Sequence, residues 1–299
     1  MARKGAGPSL RWGAEQRLEF IEFRAYWDGA VNRADITERF GVSVPQASND
    51  ISHYRELAPG NLDYDLSAKR YVPSAHFRPR FLKPNPEHYI RQLYAAAEGI
   101  IDLADTWIGN PPDIAVMPVP SRRIDATLFR SLLTVIRQRQ SVEARYQSMA
   151  PQRPDAEWRR ITPHAFATDG LRWHLRGFCH IDRSFKDFVL SRMSGLRHPG
   201  PPGLLGDRDH DWGAVFEAKL VPNGSLSDGQ RQAIAHEYSM PKGGAKLRVS
   251  HAMLYYLKKR LRLDMPNDPP SEKPIIIANS DAFEAALASA QGRVIDGDQ

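Results

Sequence analysis

Residues 158–192 read WRRITPHAFATDGLRWHLRGFCHIDRSFKDFVLSR, and this stretch decides the fold class. Its apolar and polar residues alternate with a period of two, the mark of strands that turn one face to a core. Over residues 171–179, Leu171, Trp173, Leu175 and Cys179 fall on one parity, while Arg172, His174 and Arg176 fall on the other. The next run repeats the device, with Phe185, Val189 and Met193 opposite Lys186, Phe188, Leu190 and Arg192. Between the runs, Asp169-Gly170 suits a two-residue type I′ turn, which needs residues that tolerate positive φ. The expected result is a sheet face that gathers His174, Arg176 and Arg192, with Trp173 in the core.

Working outward, residues 142–148 form a preceding strand on which Tyr146 and Ser148 share a face, and residues 125–140 carry helical periodicity. Downstream, HPGPPGLLGDRDHD closes this domain near residue 210, with its DRDHD run read as a solvated loop. Strands at 215–221 and 245–249, helices at 227–238 and 251–261, and a strand in IIIANSD then compose a small α+β module.

The N-terminal part has a different rhythm. Residues 13–27 place Leu18, Phe20, Ile21, Phe23 and Tyr26 at near-helical spacing, and a short helix is expected over 33–40, ended by Gly41. Ser43-Val44-Pro45-Gln46 has the S-x-x-Q form of a capping box, so a third helix runs from there to about residue 57. LDYDLSAKRYV then reads as two short strands around a polar turn. Helix, helix, glycine turn, capped helix and hairpin is the layout of a winged helix-turn-helix, whose third helix enters the DNA major groove. Gln46, Ser48, Asn49, Ser52, His53 and Arg55 are the polar residues of that helix with reach toward base edges; Ala47, Ile51 and Tyr54 face the domain core. Phosphate contacts are expected from Lys69 and Arg70 of the hairpin and from Arg11 and Arg17. A helix over 87–107 links this block to the rest.

The net charge of +6 is concentrated: residues 121–200 carry +8, against +2, −3 and −1 for residues 1–80, 81–120 and 201–299. Such a block draws anions. The single cysteine, Cys179, allows no intrachain disulfide, and no apolar run approaches the about 20 residues of a membrane-spanning helix. A cytoplasmic location is expected, with no membrane partner. No phosphate-binding GxxxxGK[ST] loop, HExxH, GxSxG or paired-cysteine zinc spacing is present, so neither an enzyme nor a cofactor or metal is expected.

Three segments carry a resemblance. Arg159-Arg160-Ile161-Thr162-Pro163-His164, Arg172-Trp173-His174-Leu175-Arg176 and Asp187-Phe188-Val189-Leu190-Ser191-Arg192 follow the order RxIxPH, RWHxR, DFxLSR. With the winged helix before them, the chain resembles the WYL-domain transcriptional regulators, most closely the BrxR and CapW group associated with bacterial anti-phage defence. The departure lies in the naming tripeptide, where His174 stands in the tyrosine position. The resemblance implies an α+β multidomain chain: a winged helix-turn-helix (1–80), a helical linker (81–124), an Sm-like β-barrel WYL domain (125–205) and a C-terminal dimerisation extension (206–299).

It also implies a homodimeric repressor of a phage-defence operon that binds an inverted-repeat DNA operator and is controlled by a nucleotide or oligonucleotide effector. The implied pocket set is Tyr146, Ser148, Arg159, His164, His174, Arg176 and Arg192. Arginine suits it because its planar fork makes bidentate contacts with phosphate oxygens. The competing reading pairs these arginines with Asp169, Asp182 or Asp187 in structural ion pairs. A second function class also stands: an RNA- or single-strand-binding accessory protein that uses the sheet as its main surface.

Overall fold

The computed structural model describes residues 8–118 and 120–291, with side chains from 13 to 290 of these, and the chain divides into two units between residues 119 and 120. In the first unit, α1 (Pro8–Phe23) continues as a π-helical turn (Arg24–Asp28) that stops at Gly29, where φ is 75°. α2 (Arg33–Phe40) opens on a reciprocal capping box between Asn32 and Asp35 and ends at Gly41, whose φ of 63° lets its N–H donate to the Thr37 carbonyl. α3 (Val44–Leu57) begins at Ser43, whose hydroxyl accepts the Gln46 N–H. The expected capping box is only half formed, because the Gln46 amide turns away and donates to Asp50 at 3.0 Å. β1 (Leu62–Asp65) and β2 (Arg70–Pro73) pair antiparallel as the hairpin, and Val31 bridges to Tyr71 beside them.

One buried cluster holds these pieces together: Leu18, Phe20 and Ile21 of α1, Ile36 of α2, and Ala47, Ile51 and Tyr54 of α3. Removing a large apolar side chain from water contributes about 1.5–3 kcal/mol, so this face fixes α3 against α1. A polar latch sits inside the cluster. Glu22, fully buried, accepts the Tyr54 hydroxyl at 2.9 Å and the backbone N–H groups of Arg80, Phe81 and Leu82 at 2.7 Å each. The strap that follows the hairpin is thereby tied to α1 and α3 through one carboxylate. Burial first, and then the Glu22 charge, push the Tyr54 phenol well above its usual range.

The helix expected over 87–107 is shorter: α4 (Pro86–Ala97) ends in a turn at Gly99, where φ is 67° and the N–H groups of Ile100 and Ile101 return to the Ala95 carbonyl. A left-handed residue cannot continue an α-helix, which is why the apolar stripe overran it. α4 packs on α1 through Phe23, Leu93 and Ile108.

In the second unit, α5 (Ala126–Arg137), capped by Asp125, buries Leu128, Leu132 and Val135. Leu128 and Leu132 share a cluster with residues of a five-stranded antiparallel sheet made of β3 (Ser141–Tyr146), β4 (Glu157–Thr168), β5 (Trp173–Cys179), β6 (Ser184–Val189) and β7 (Met193–Gly200). The order is β6-β5-β4-β3-β7. This is not the closed barrel expected: β6 and β7 are opposite edges, and no ladder joins them among the described residues. The two edges are nonetheless drawn together, since the linking turn, Leu190–Arg192, is three residues long and lets Val189 and Met193 lie at most about 14 Å apart. The Tyr146 hydroxyl closes that corner by accepting the Val189 N–H at 3.3 Å.

Two further expectations are corrected. The β4–β5 connection is longer than a two-residue turn: Asp169 accepts the N–H groups of Leu171 and Arg172, and Arg172 belongs to the turn rather than the strand. Trp173 opens β5, paired with Thr168 at the last rung of the ladder and beyond the core, so it is 54% exposed rather than buried.

The chain continues through α6 (His210–Gly213), β8 (Val215–Pro222), α7 (Asp228–Glu237), β9 (Ala245–Ser250), α8 (Leu254–Arg260), β10 (Ile275–Ile277) and α9 (Ser280–Gln291). β10-β8-β9 form a second antiparallel sheet whose core is Ala218, Leu254, Ile277, Phe283 and Leu287.

Candidate nucleic-acid interface and anion site

α3 separates cleanly into two faces. Ala47, Asp50, Ile51 and Tyr54 are buried, while Asn49, Ser52, His53 and Arg55 are exposed, and the guanidinium of Arg55 lies over the Tyr71 ring of the hairpin. Lys69, in the left-handed region at φ 52°, and Arg70 stand exposed on the same hairpin. Gln46 and Ser48 are less free. Gln46 is held by Asp50, and the Ser48 hydroxyl donates to the Val44 carbonyl one turn back. Arg17 does not project outward, because its guanidinium grips Asp50 at 2.6 Å. The side chain of Arg11 lies outside the described residues. Two features carried no sequence signal: Leu66, 81% exposed at the tip of the hairpin, and Asp65, which fixes that tip by accepting the N–H groups of Ser67 and Ala68.

The seven pocket residues fall into two groups. Leu175 and Cys179 of β5 face the core, so His174 and Arg176 face the other way, with His164 of β4 beside them. A register shift between Pro163 and Ala165 leaves His164 as the extra residue of a bulge, which re-aims its ring. Gly177 permits this tight crossing: a Cβ there would lie 2.8 Å from the Thr162 carbonyl oxygen.

This face is covered from within. Asp209, 3% exposed, accepts Arg176 Nε at 2.8 Å and Nη2 at 3.1 Å, and lies 2.9 Å from His164 Nε2. Asp187 meets Arg176 at 3.3 Å and accepts the Tyr256 hydroxyl at 3.0 Å. Asp169 lies 3.3 Å from His174 Nε2. Burial is the largest influence on the Asp209 carboxyl and pushes it up, yet the hydrogen bonds from His164 and Arg176 outweigh it and hold the group at about 2. Burial and the neighbouring Asp187 push the Tyr256 phenol well up, so it remains a donor. The DRDHD run is thus only partly solvated: Asp207, Arg208 and His210 are exposed, whereas Asp209 and Asp211 are buried, and Asp209 supplies the counter-charge that the Arg176 guanidinium needs once water is excluded.

The second group gathers at the corner where β3 meets β4 and β7. Arg159 is 3% exposed and lies over the Tyr146 ring, on the side of Ala144 and Ile161 rather than that of Arg176. It pairs with Glu157 at 3.2 Å and with Asp182 at 3.7 Å, while its Nε has no hydrogen-bond partner. Asp182 also holds Arg153, Lys186 and the Cys179 thiol; burial raises its carboxyl, but these donors pull it well below the usual range. Ser148 caps the Ala150 N–H, and Arg192, half-buried in the turn after β6, makes no ion pair among the described residues. Arg176 and Arg159 thus have the structural ion pairs of the competing reading, to Asp187 and Asp182. Among the described residues no group of three or more metal-ligating side chains converges, and no helix is long and apolar enough to cross a membrane.

Comparison with known proteins matches each part of the chain. Residues 13–95 match the winged helix-turn-helix domain of the BrxR transcriptional regulator, 127–198 the WYL domain, and 215–283 the C-terminal dimerization domain of BrxR. A protein described as DNA-binding transcriptional repressor CapW from Stenotrophomonas maltophilia is 36% identical over 279 residues, covering 91% of each chain. Proteins of the same description from Escherichia coli (strain KTE188) and Pseudomonas aeruginosa are each 35% identical, over 95% and 92% of this chain and 94% and 89% of theirs.

Proposed function

Because this chain belongs to the WYL-domain transcriptional regulators of the BrxR and CapW group, we propose that it represses transcription as a homodimer bound to an inverted-repeat operator in a phage-defence operon. The observation that carries this reading is the outward face of α3, where Asn49, Ser52, His53 and Arg55 stand exposed beside the cationic hairpin residues Lys69 and Arg70. Asn offers the paired donor and acceptor that match adenine, and arginine the fork that matches guanine. Residues 215–283, with their likeness to a dimerization domain, supply the two-fold symmetry that an inverted repeat requires. The protein acts in the cytoplasm, without catalysis.

Control comes from an anionic effector, a nucleotide or an oligonucleotide, bound on the WYL sheet by members of the set Tyr146, Ser148, Arg159, His164, His174, Arg176 and Arg192. Support lies in the +8 charge of residues 121–200 and in the buried fork of Arg176. Such an effector acts only by binding the DNA-competent and incompetent states unequally. A gel-shift titration on DNA upstream of the protein's own gene, with and without short oligonucleotides, tests both halves. A sequence-specific shift that the oligonucleotide alters is expected; no specific shift at moderate salt overturns the repressor reading.

A second reading, single-strand binding on the sheet, has one observation in its favour: Arg197 stacks over Trp158 at 4.0 Å, next to Arg160. Gln46→Ala with Asn49→Ala separates the two. Duplex binding is lost under the first, and single-strand binding persists under the second.

A further inference from the structure

The cationic face of the WYL sheet already holds an anion, and the protein supplies it. Asp209 belongs to none of the strands of that sheet; it lies in the segment leading from the first sheet to the second, 33 residues beyond Arg176. Its two carboxylate oxygens take the Nε and Nη2 of Arg176 side by side, and one of them also meets His164 Nε2. Two oxygens in the plane of one guanidinium fork is the geometry by which arginine also holds a phosphate group. We propose that the seat between Arg176 and His164 receives a phosphate group of the effector, and that Asp209 is a resident anion which this phosphate displaces. The inference rests on the effector reading above and names its seat and its competitor.

Three features make displacement feasible. Arg176 is not stranded when Asp209 leaves, because Asp187 still pairs with it and is itself fixed by the Tyr256 hydroxyl. The segment carrying Asp209 is built of one 3-10 turn (Gly206–Arg208) and the four-residue α6, with little repeating structure to unfold. No backbone ladder joins it to the sheet among the described residues; its hold is by side-chain contact, with Gly206 and Trp212 against the His164 ring and Asp209 itself also accepting the Trp212 N–H at 3.2 Å.

Displacement has a path outward. The carbonyls of Asp211 and Trp212 accept the hydroxyl of Ser250, the last residue of β9, and the Ala214 carbonyl accepts the His251 N–H. Release of Asp209 therefore loosens contacts on the sheet that carries the likeness to a dimerization domain. Loading of the seat is thereby coupled to the part of the chain that would set the spacing of two DNA-binding heads.

Calorimetric binding of inorganic pyrophosphate to the full chain, at fixed ionic strength, tests this with Asp209→Ala, the shape-preserving Asp209→Asn and the double variant Asp209→Ala/Arg176→Met. Without the resident anion, both single variants should bind pyrophosphate about 10- to 100-fold more tightly than the wild type, the factor by which a charge-assisted latch depresses the open population. Pyrophosphate should also restore the lowered melting temperature of the single variants, and the double variant should show neither effect. Unchanged affinity in both single variants, or equal rescue of the double variant, overturns the proposal. A 5′-phosphorylated oligonucleotide and a mononucleotide, run as separate arms, distinguish the source of the phosphate. The wild-type gel shift reports on the underlying reading separately: an operator complex that responds to oligonucleotide while Asp209→Ala gains nothing sinks the resident anion alone. A gain in Asp209→Ala with an unresponsive operator complex sinks the effector reading and leaves the seat.

Discussion

Replacing Glu22 by glutamine puts the internal latch of the DNA-binding unit to a sharp test, because shape is kept and only the acceptor chemistry changes. The carboxylate takes four donors: the Tyr54 hydroxyl and the N–H groups of Arg80, Phe81 and Leu82. With its carbonyl oxygen in the place of Oε2, on which all three strap N–H groups converge, glutamine meets them with a neutral acceptor and turns its NH2 group toward the Tyr54 hydroxyl. Three charge-assisted bonds then become neutral ones, at about 1 kcal/mol each, so Glu22→Gln should destabilise the unit by roughly 3 kcal/mol. Tyr54→Phe is the control, since it leaves the three strap bonds intact and removes only the hydroxyl, which donates to Glu22 and accepts the Asn61 amide; Asn61 keeps its bond to the Arg78 carbonyl, and the cost should be about 1–1.5 kcal/mol. Urea unfolding followed by fluorescence measures both, and Trp107, packed edge-on against Phe20 and Phe23, reports on the same unit. Operator affinity should fall in parallel, because the latch ties α3 to the strap behind the hairpin. A Glu22→Gln protein within 1 kcal/mol of Tyr54→Phe would refute the reasoning, because the strap would then gain nothing from the carboxylate.

Three further outcomes follow from the same geometry. Asn49→Ala, at an exposed position of α3, should weaken operator binding by about 1–3 kcal/mol in a gel shift while leaving the melting temperature unchanged. Gly177→Ala should destabilise the WYL sheet by about 1–3 kcal/mol in thermal melts, because the new Cβ meets the backbone of β4, at Thr162 O and Pro163 Cα, rather than a side chain that can swing away. The Asp209 carboxyl is held at about 2, below its ordinary 3.8, so its stabilisation is complete above the ordinary value and fades as pH falls toward 2. The gap in urea midpoint between wild type and Asp209→Asn, worth about 2.5 kcal/mol at neutral pH, should therefore close between about pH 4 and pH 2; a constant gap across that window speaks against the ion pair.

The elements that sequence makes legible are those whose signals are local. Gly41 and Ser43 mark the turn before α3 because positive φ and capping are decided within four residues, and the period-two run of residues 171–179 marks β5 for the same reason. β7 is obscured by Gly195, Pro199 and Gly200, residues that read as a loop but are tolerated in an edge strand, where one side of the ladder is unpaired. The site is half legible in the same sense. Alternation alone places His174 and Arg176 on one face, away from Leu175, but nothing near them points to Asp209 or Tyr256, 33 and 80 residues further on. Charge pattern measures a surplus of cations; which carboxylate a fold brings to each is a property of long-range packing.

Cys179, the single cysteine, lies fully buried at the end of β5 with its thiol donating to Asp182, and burial pushes that thiol up. A disulfide reagent in solvent reaches the sulfur only during the moments when that end of the sheet swings open. The rate at which the untouched protein consumes such a reagent is thus a clock for spontaneous opening of the WYL sheet, one thiol per chain, with no label to introduce. Because the winged-helix unit contributes no thiol to the signal, the same clock separates breathing of the sheet from fraying of the DNA-binding head in a single sample.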